Sequence, residues 1–330
     1  MTVPAASGWL AVAASRDLAR RPLRIVHAGR PFVLFREAGE PKALVDRCPH
    51  RGARLSAGRV RADGLECPYH GWRFGGDGRC RAIPGNLGPL PSFNVPTLSA
   101  CEADGLVFLR VAPGEAPPYC SVLHGEGVVS RRVRSLVRSS LLDVAENILD
   151  ATHTHFTHKG ILRGLSTRRN RVEVSVTAGE GWVEARYEGE PRQEGLVSRL
   201  LEGERSISVG RFLAPGICEL EFWGRGKINL ATTFHLRAEA QGVVAGIGLM
   251  RGPFQNGLGL LKAALFMPLF KTALWQDRVI LNAVTANAAY FPAAKPAIGP
   301  LDVMRANIAA ILAGERPPAA DAPVRLMMEL

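Results

Sequence analysis

Two short loops, each with one cysteine and one histidine close together, constrain this chain more than any other feature of its sequence. The first reads Cys48-Pro49-His50-Arg51-Gly52 and the second reads Cys67-Pro68-Tyr69-His70-Gly71-Trp72. Two cysteines and two histidines can hold one zinc ion tetrahedrally. They can equally hold a [2Fe–2S] cluster in which two histidines replace two cysteines on one iron. The mixed order Cys-x-His and Cys-x-x-His is unusual for zinc loops, and the rest of the chain has to decide between the two.

Length and composition indicate a soluble globular protein of two domains. The chain has 330 residues, of which 47% are hydrophobic and 22% are charged, enough for ordinary cores. The net charge of +11 comes mostly from arginine, but aromatic residues make up only 7%, and no nucleic-acid-binding motif is present. We interpret the arginines as a solvated basic surface, or as a docking face for an acidic electron-carrier protein.

Cysteine usage and hydropathy predict a cytoplasmic protein. Six cysteines in a chain of this length do not form a disulfide framework. No stretch reaches the roughly 20 apolar residues of a membrane span. The apolar N-terminal stretch lacks the basic region of a signal peptide, and from Trp9 to Val12 it reads better as a strand.

The first part of the chain predicts a small antiparallel β domain. From Arg24 to about Leu109, short apolar runs alternate with turns rich in glycine and proline, a pattern typical of short strands. The two loops would then lie at hairpin tips. A turn-rich stretch at Ala112–Pro118 marks the boundary, so we predict domains at residues 1–115 and 116–330.

The second part predicts an α+β domain with a twisted antiparallel sheet flanked by helices. Apolar residues recur at helical spacing from Ser139 to about His153. A second helix is predicted over Leu258–Asn287 with an interruption at Pro268, and a short one over Leu301–Leu312. The segment Glu315–Leu330 has no strong period. The strands are predicted at Val172–Val176, Val183–Tyr187, Ser206–Phe212, Ile228–Leu236 and Val243–Met250.

A second group of possible metal ligands lies at the end of the first long helix. Asp150 and His153 are three residues apart and would share a helix face. His153 and His158 lie roughly 140° apart around an unbroken helix, so they can bind one metal only if the helix ends or bulges after His153. Two histidines and a carboxylate form the facial triad that binds Fe(II). The alternative is a histidine-rich surface turn or buried structural histidines, and His155 is expected to point away.

The two groups of residues together resemble the Rieske non-heme iron oxygenases, specifically their catalytic α subunits. The resemblance runs from Trp9 through both loops to Ile83-Pro84, and again through Glu146-Asn147-Ile148-Leu149-Asp150 with its two histidines. It implies a Rieske domain followed by a catalytic domain of helix-grip type. The cluster ligands it implies are Cys48, His50, Cys67 and His70.

The resemblance also implies a mononuclear iron held by His153, His158 and an aspartate on a late helix. Trp275-Gln276-Asp277-Arg278-Val279 is the best match to that helix, so Asp277 is the predicted third ligand and Asp302 a weaker competitor.

Chains of this length resemble the α-only enzymes, such as the dicamba and vanillate demethylase group, which usually form head-to-tail homotrimers. In such a trimer the cluster of one subunit serves the iron of its neighbour. Asp150 matches the carboxylate that links His153 to the neighbour's His70. Asn147 matches a nearby supporting group.

The resemblance implies an enzyme that uses O2 and electrons from NAD(P)H, delivered by a separate reductase or ferredoxin. The expected reaction is hydroxylation or oxidative demethylation of an apolar, possibly bulky organic substrate. The alternatives are cis-dihydroxylation of an aromatic ring, a Rieske electron carrier without oxygenase activity, and a zinc-stabilised binding module. The apolar run 258–270 is either ordinary helix packing, or a channel wall or membrane-skimming lid for a hydrophobic substrate.

Overall fold

The computed structural model describes residues 7–19, 21–124, 127–163, 169–189, 205–240, 242–253 and 258–330. Its internal contacts divide the chain into two units. One is Ser7–Pro118 together with Arg237–Gln241, and the other contains Tyr119–Leu236 and Gly242–Leu330. The boundary at residues 115 and 116 remains the expectation from the sequence.

The first unit is built from three small antiparallel sheets, which confirms the predicted β domain. The sheet orders are β1-β11-β10, β2-β3-β4-β9 and β5-β6-β7-β8. The strands are β1 (Trp9–Ala14), β2 (Leu23–His27), β3 (Arg30–Glu37), β4 (Glu40–Val45), β5 (Arg59–Arg61), β6 (Gly64–Glu66), β7 (Arg73–Phe74), β8 (Cys80–Ala82), β9 (Thr97–Leu98), β10 (Ala100–Ala103) and β11 (Leu106–Arg110).

Strand β3 explains how this unit places the two loops. Its side chains alternate between two apolar clusters, as the period of a strand requires. Phe32 and Leu34 face a cluster that includes residues of β11. Val33 and Phe35 face a second cluster, which contains both loop cysteines. The cysteines of both loops are therefore packed in the hydrophobic core of their own domain.

The second unit combines one large sheet with helices, as the sequence predicted. The eight-stranded antiparallel sheet has the order β12-β18-β17-β16-β15-β14-β13-β19. Its strands are β12 (Val128–Val137), β13 (Arg171–Gly179), β14 (Trp182–Glu188), β15 (Ile207–Leu213), β16 (Ile217–Gly224), β17 (Lys227–Ala240), β18 (Val243–Pro253) and β19 (Val324–Glu329). The helices described in this unit are α1 (Leu141–Leu149), α2 (Thr154–Thr157), α3 (Leu258–Ala288) and α4 (Arg305–Ala313).

The predicted interruption of the long helix at Pro268 is wrong, because α3 runs through this residue without a break. A proline inside a helix removes one backbone hydrogen bond and costs about 3 kcal/mol. Phe266 and Phe270, on either side, are buried in the core, and their ring centroids lie 5.6 Å apart. Their packing offsets the cost of the proline.

Three described strands of the second unit were not predicted from the sequence. They are β12, β16 and β19, and β19 lies in the segment that showed no periodicity. Leu326 of β19 pairs with Val174 of β13, and Met328 is buried. The strand is thus selected by the open sheet edge it covers. Among the described helices, none is long and apolar enough to cross a membrane.

Candidate metal centres

The two cysteine loops adopt the same backbone conformation. In the first, the amide of Cys48 donates to the carbonyl of Ala53 at 2.8 Å, and the carbonyl of Cys48 accepts from the amide of Gly52 at 2.9 Å. In the second, the amide and carbonyl of Cys67 make the equivalent two bonds at 2.8 and 3.2 Å. Each cysteine is therefore held by its own loop before any metal binds.

A glycine four residues after each cysteine makes this conformation possible. Gly52 and Gly71 have φ angles of +73° and +72°, a region that residues with a side chain rarely adopt. At Gly71 a Cβ atom would also lie 2.9 Å from Cγ of Pro84. The repeated Cys-Pro-x-x-Gly pattern is thus the sequence signal for the paired loops.

The two imidazoles of the loops lie against each other. The rings of His50 and His70 have centroids 4.6 Å apart, and His50 also stacks on Trp72 at 4.6 Å with 6° between the planes. The Nδ1 atom of His50 is buried and bonds to none of the described residues. Burial, His70 and Arg51 lower the pKa of His50, which favours the neutral imidazole that ligates metals.

The two thiols lie deeper than the imidazoles. Cys48 and Cys67 are 1% and 3% exposed. Burial, together with the neighbouring Cys67 thiol, raises the pKa of Cys48 to about 11 even though backbone amides oppose the shift. Two buried thiols beside two imidazoles, one with an unpaired buried nitrogen, fit the donor set of a Rieske cluster. A bound metal would deprotonate the thiols.

The second site begins where α1 ends. The sequence predicted Asp150 and His153 on one helix face, but α1 stops at Leu149. The Asp150 carboxylate instead accepts bonds from the amide and hydroxyl of Thr152, at 2.7 and 2.6 Å, and from the amide of His153 at 3.2 Å. This side chain competes with the helix for backbone donors and turns the chain.

The turn brings the two histidines to the same place. His153 and His158 flank the short helix α2, and their Nε2 atoms lie 3.3 Å apart. Oδ1 of Asp277, on α3, lies 3.5 Å from Nε2 of His153 and 3.0 Å from Nε2 of His158. Ligand atoms about 2.1 Å from one metal at right angles are about 3 Å apart. The triangle therefore has the size of one face of an octahedral site.

The carboxylates around His153 make this triangle attractive to positive charge. Burial opposes a charge on His153, but the carboxylates of Asp150 and Asp277 outweigh it and raise its pKa to about 9. Burial opposes a charge on Asp277 too, and the two histidines hold its pKa below the usual range. Oδ1 of Asp277 and Nδ1 of His153 are buried and have no hydrogen-bond partner among the described residues. A divalent cation bound at the triangle would provide a partner for the buried Oδ1 atom of Asp277.

Gln276 is a site residue that sequence reasoning missed. Its Oε1 lies 2.9 Å from Nδ1 of His158, so it accepts the proton of that nitrogen and leaves Nε2 to face Asp277. The sequence signal that could have identified it is its position directly before the predicted ligand Asp277. His155 is outside the group of converging ligand atoms in the described residues. Asp302 is also outside it, and its carboxylate accepts from the amide of Gly299 at 2.6 Å.

An apolar cavity opens beside the triangle. It has a volume of about 150 Å³. Residues of β14, β15, β16 and β17 line it on the sheet side, and residues of α1, α2 and α3 also line it. The side chains that give the cavity its apolar character include Leu220, Phe222, Leu230, Phe234, Phe266 and Phe270.

A second, more polar cavity lies on the other side of Asp150. Its volume is about 330 Å³. Asn147 and Asp150 line both cavities. Arg305 binds Asp143 at 3.0 Å and also pairs with Glu146 in this second cavity. Asp150 thus lies between the triangle and a polar opening.

Known proteins are similar to this chain in sequence and in fold. Residues 8–94 match the family model of the Rieske [2Fe-2S] domain. Dicamba O-demethylase, oxygenase component, from Stenotrophomonas maltophilia is 28% identical over 232 residues, which cover 66% of this chain and 62% of that protein. Chlorophyllide a oxygenase from Chlamydomonas reinhardtii is 37% identical over 143 residues, covering 39% of this chain and 21% of that protein. The chain thus spans less than two thirds of the length of these relatives.

A solved structure extends the likeness to nearly the whole fold. Dicamba monooxygenase bound to dicamba superposes with a TM-score of 0.78 and 20% identity, covering 92% of this chain and 95% of the other. Residues 8–94 thus carry a Rieske domain, and the fold of the chain is that of dicamba monooxygenase. In sequence and in fold the chain is similar to the oxygenase component of dicamba O-demethylase.

Proposed function

We propose that the chain is a Rieske-type oxygenase that hydroxylates or oxidatively demethylates an apolar organic substrate. The observation that carries this proposal is the convergence of His153, His158 and Asp277 at one end of an apolar cavity. An electron carrier has no use for such a second site. In the overall reaction a substrate C–H bond, O2, two electrons and two protons become a C–OH group and water.

Cys48, His50, Cys67 and His70 would hold the [2Fe–2S] cluster, and the triangle would hold Fe(II). When bound, these groups supply electron storage and O2 activation. The electrons would come from NAD(P)H through a separate reductase or ferredoxin, which is consistent with the name of the dicamba relative as an "oxygenase component".

The chain's own residues have three tasks in this proposal. Gln276 orients His158 through Nδ1, and Asp150 lies 3.3 Å from Nδ1 of His153. Histidine ligands are commonly fixed by an acceptor on the second nitrogen, a role that Gln276 has for His158 and that the nearby charge of Asp150 would have for His153. Phe266 and Phe270 help to keep the cavity dry, so a substrate is oriented by contact with hydrocarbon. Hydroxylation of a methyl carbon next to oxygen or nitrogen would release that carbon as formaldehyde, which gives demethylation.

We also propose that three chains assemble head to tail, so that the cluster of one subunit faces Asp150 of the next. The Rieske side of this contact has an exposed His70 and exposed Arg47, Arg51 and Arg54 around the loops. The opposite side has acidic residues around the polar cavity, namely Asp143, Glu146, Asp150 and Asp302. Opposite charges on the two faces favour the contact. The thiol ligands suit a reducing compartment such as the cytoplasm.

The apolar run 258–270 takes part in the cavity through Phe266 and Phe270. Leu261 and Leu265 are 58% and 61% exposed. Contact of this outer side with a membrane remains a prediction.

A single turnover tests the proposal without knowledge of the electron donor. The chain loaded with cluster and iron is reduced chemically without air, mixed with candidate substrates, and exposed to ¹⁸O2. We expect one labelled oxygen in the product, or loss of a one-carbon fragment. Two labelled oxygens would indicate cis-dihydroxylation instead. A reduced cluster that is reoxidised with no oxygenated product from any apolar substrate would leave only the electron-carrier function.

A further inference from the structure

The cavity beside the metal triangle contains one polar side chain with no partner on its sheet wall. Thr232 of β17 pairs with Leu220 of β16, and both line the cavity. The neighbours of Thr232 on the same face of β17 are Leu230 and Phe234, which also line it. The Thr232 hydroxyl therefore has hydrocarbon neighbours on its own strand and on β16, while the other hydroxyl side chains of the sheet wall, Ser208 and Tyr187, lie on β15 and β14.

The hydroxyl of Thr232 is buried and unsatisfied. The residue is 5% exposed, and its Oγ1 atom forms no hydrogen bond within the parts of the chain that the structure describes. A buried hydroxyl without a partner destabilises a fold, whereas valine has the same shape and lacks this penalty. The hydroxyl thus contributes nothing to folding that valine would not, and its position on the cavity wall offers a reason for its presence.

The adjacent residue provides a contrast. Thr233 points to the other face of the sheet, is fully buried, and donates its hydroxyl to Oε2 of Glu219 at 3.2 Å. One threonine of the pair is thus bonded inside the protein, and the other presents its hydroxyl to the cavity.

We infer that Thr232 selects substrates that carry an uncharged oxygen or nitrogen function within an otherwise apolar body. This inference rests on the proposed oxygenase function and names the substrate class of the same site. A hydroxyl both donates and accepts, so it matches an ether, a carbonyl, an amide or an alcohol.

A carboxylate is a poorer match for this position. A buried anion requires a cation and further hydrogen bonds. The cations lining the cavity are Arg163 and Arg205. Arg163 donates to Oγ1 of Thr154 at 2.7 Å. Arg205 donates to Oγ of Ser208 at 2.9 Å and lies over the ring of Phe222 at 4.6 Å. Leu220, Leu230 and Phe234, not these cations, surround the hydroxyl along the sheet.

The test is a competition between matched compounds in a single turnover. Each member of a panel of aromatic and alicyclic methyl ethers and ketones is mixed in equal amount with its hydrocarbon isostere, and separately with its carboxylate analogue. The ratio of the two products reports the ratio of kcat/KM. We expect the loaded wild-type chain to favour the ether or ketone, and Thr232→Val to reduce that preference about tenfold.

Heat stability gives a readout that does not depend on activity. Metal-free Thr232→Val should melt no lower than wild type, because it replaces an unsatisfied hydroxyl. The control Thr233→Val should melt lower, because it removes a partner of Glu219, and should keep the wild-type product ratio.

The inference is overturned if Thr232→Val leaves the product ratio unchanged, if it slows both compounds equally, if it melts below wild type, or if wild type prefers the carboxylates. If wild type oxygenates members of the panel but Thr232→Val gives the same product ratio, the proposed function stands and only the inference fails. If loaded wild type oxygenates no member of the panel, the proposed function fails and the inference falls with it.

Discussion

Nδ1 of His158 lies 2.9 Å from Oε1 of Gln276, and Nε2 of the same ring lies 3.0 Å from Oδ1 of Asp277. Two consecutive residues of α3 therefore contact both nitrogens of one imidazole. Because an amide oxygen only accepts, Nδ1 is the donor in the contact with Gln276, and Nε2 is the ring nitrogen that faces the point where the three side chains converge. The orientation of the ring that metal binding requires is therefore set by α3.

Replacement of Gln276 should weaken iron binding without removing a ligand. We expect Gln276→Leu to lower the affinity for Fe(II) roughly 10- to 100-fold, because the ring of His158 loses its orienting acceptor. Titration of the metal-free site against a chelator measures this change. Gln276→Glu keeps an acceptor and should retain most of the affinity. Equal affinities for wild type and the leucine variant would show that Gln276 does not orient the ligand.

The two candidate carboxylates can be separated by their variants. Asp277→Asn should abolish mononuclear iron binding and keep the red-brown colour of the cluster, because only the triangle loses an anionic ligand. The matched control Asp302→Asn should keep both metals, since Asp302 bonds to the amide of Gly299. Iron analysis combined with visible absorption distinguishes the two. Loss of iron in the Asp302 variant alone would reverse the assignment.

Asp150 should be needed for oxygenation and not for assembly. We expect Asp150→Asn to load both metal centres and to slow oxygenation sharply, because an amide cannot replace the anionic acceptor near Nδ1 of His153. Thr152→Val removes only the hydroxyl bond to Asp150 and should have a much smaller effect. Single-turnover rates on fully loaded proteins provide the comparison. Turnover of the asparagine variant at the wild-type rate would disprove a role for Asp150 in linking the centres.

Assembly from complementary inactive chains tests the head-to-tail trimer. A His70→Ala chain should lack a functional cluster, and an Asp150→Asn chain should lack the link to the iron. If electrons cross between subunits, mixed trimers from co-expression should regain part of the activity, because one contact then joins two intact partners. Two-tag purification isolates the mixed species, and light scattering gives its mass. A monomer in solution, or mixed trimers as inactive as the parents, would exclude transfer between chains.

Glu219 should make stability depend on pH. Burial raises the pKa of this carboxyl from 4.5 to about 7, although Tyr119 and the amide of Val122 oppose the shift. A raised pKa means that the folded state prefers the protonated form. The contribution of Glu219 to the free energy of unfolding is complete below about pH 4.5 and is lost as the pH rises through 7. The loss corresponds to about 3 kcal/mol.

The measurement for Glu219 is urea unfolding of wild type and Glu219→Gln between pH 4.5 and 8. The side chain of the glutamine variant cannot ionise. Wild type should therefore lose stability relative to the variant as the pH rises. A difference that stays constant over this range would show that Glu219 does not titrate there.

The amino-acid sequence by itself determined the local features of both sites. The Cys-Pro-x-x-Gly repeat specifies a loop whose glycine must have a positive φ, and short-range sterics are sufficient for that. The pairs Cys48/His50 and Cys67/His70 are close because they are neighbours in the chain. The need for a chain turn near His153 also followed from helix geometry, although the structure ends the helix earlier, at Leu149, where Asp150 captures backbone donors.

Only the tertiary structure decided which distant side chains meet. Gln276 lies 118 positions from His158, and its contact depends on how α3 packs on the sheet through Phe266 and Phe270. No local pattern distinguishes Thr232 from Thr233, because sheet register determines which hydroxyl faces the cavity. In the same way β19 became a strand only because β13 offered an open edge. Local sterics act over a few residues, whereas burial and pairing depend on neighbours that the whole fold has to bring together.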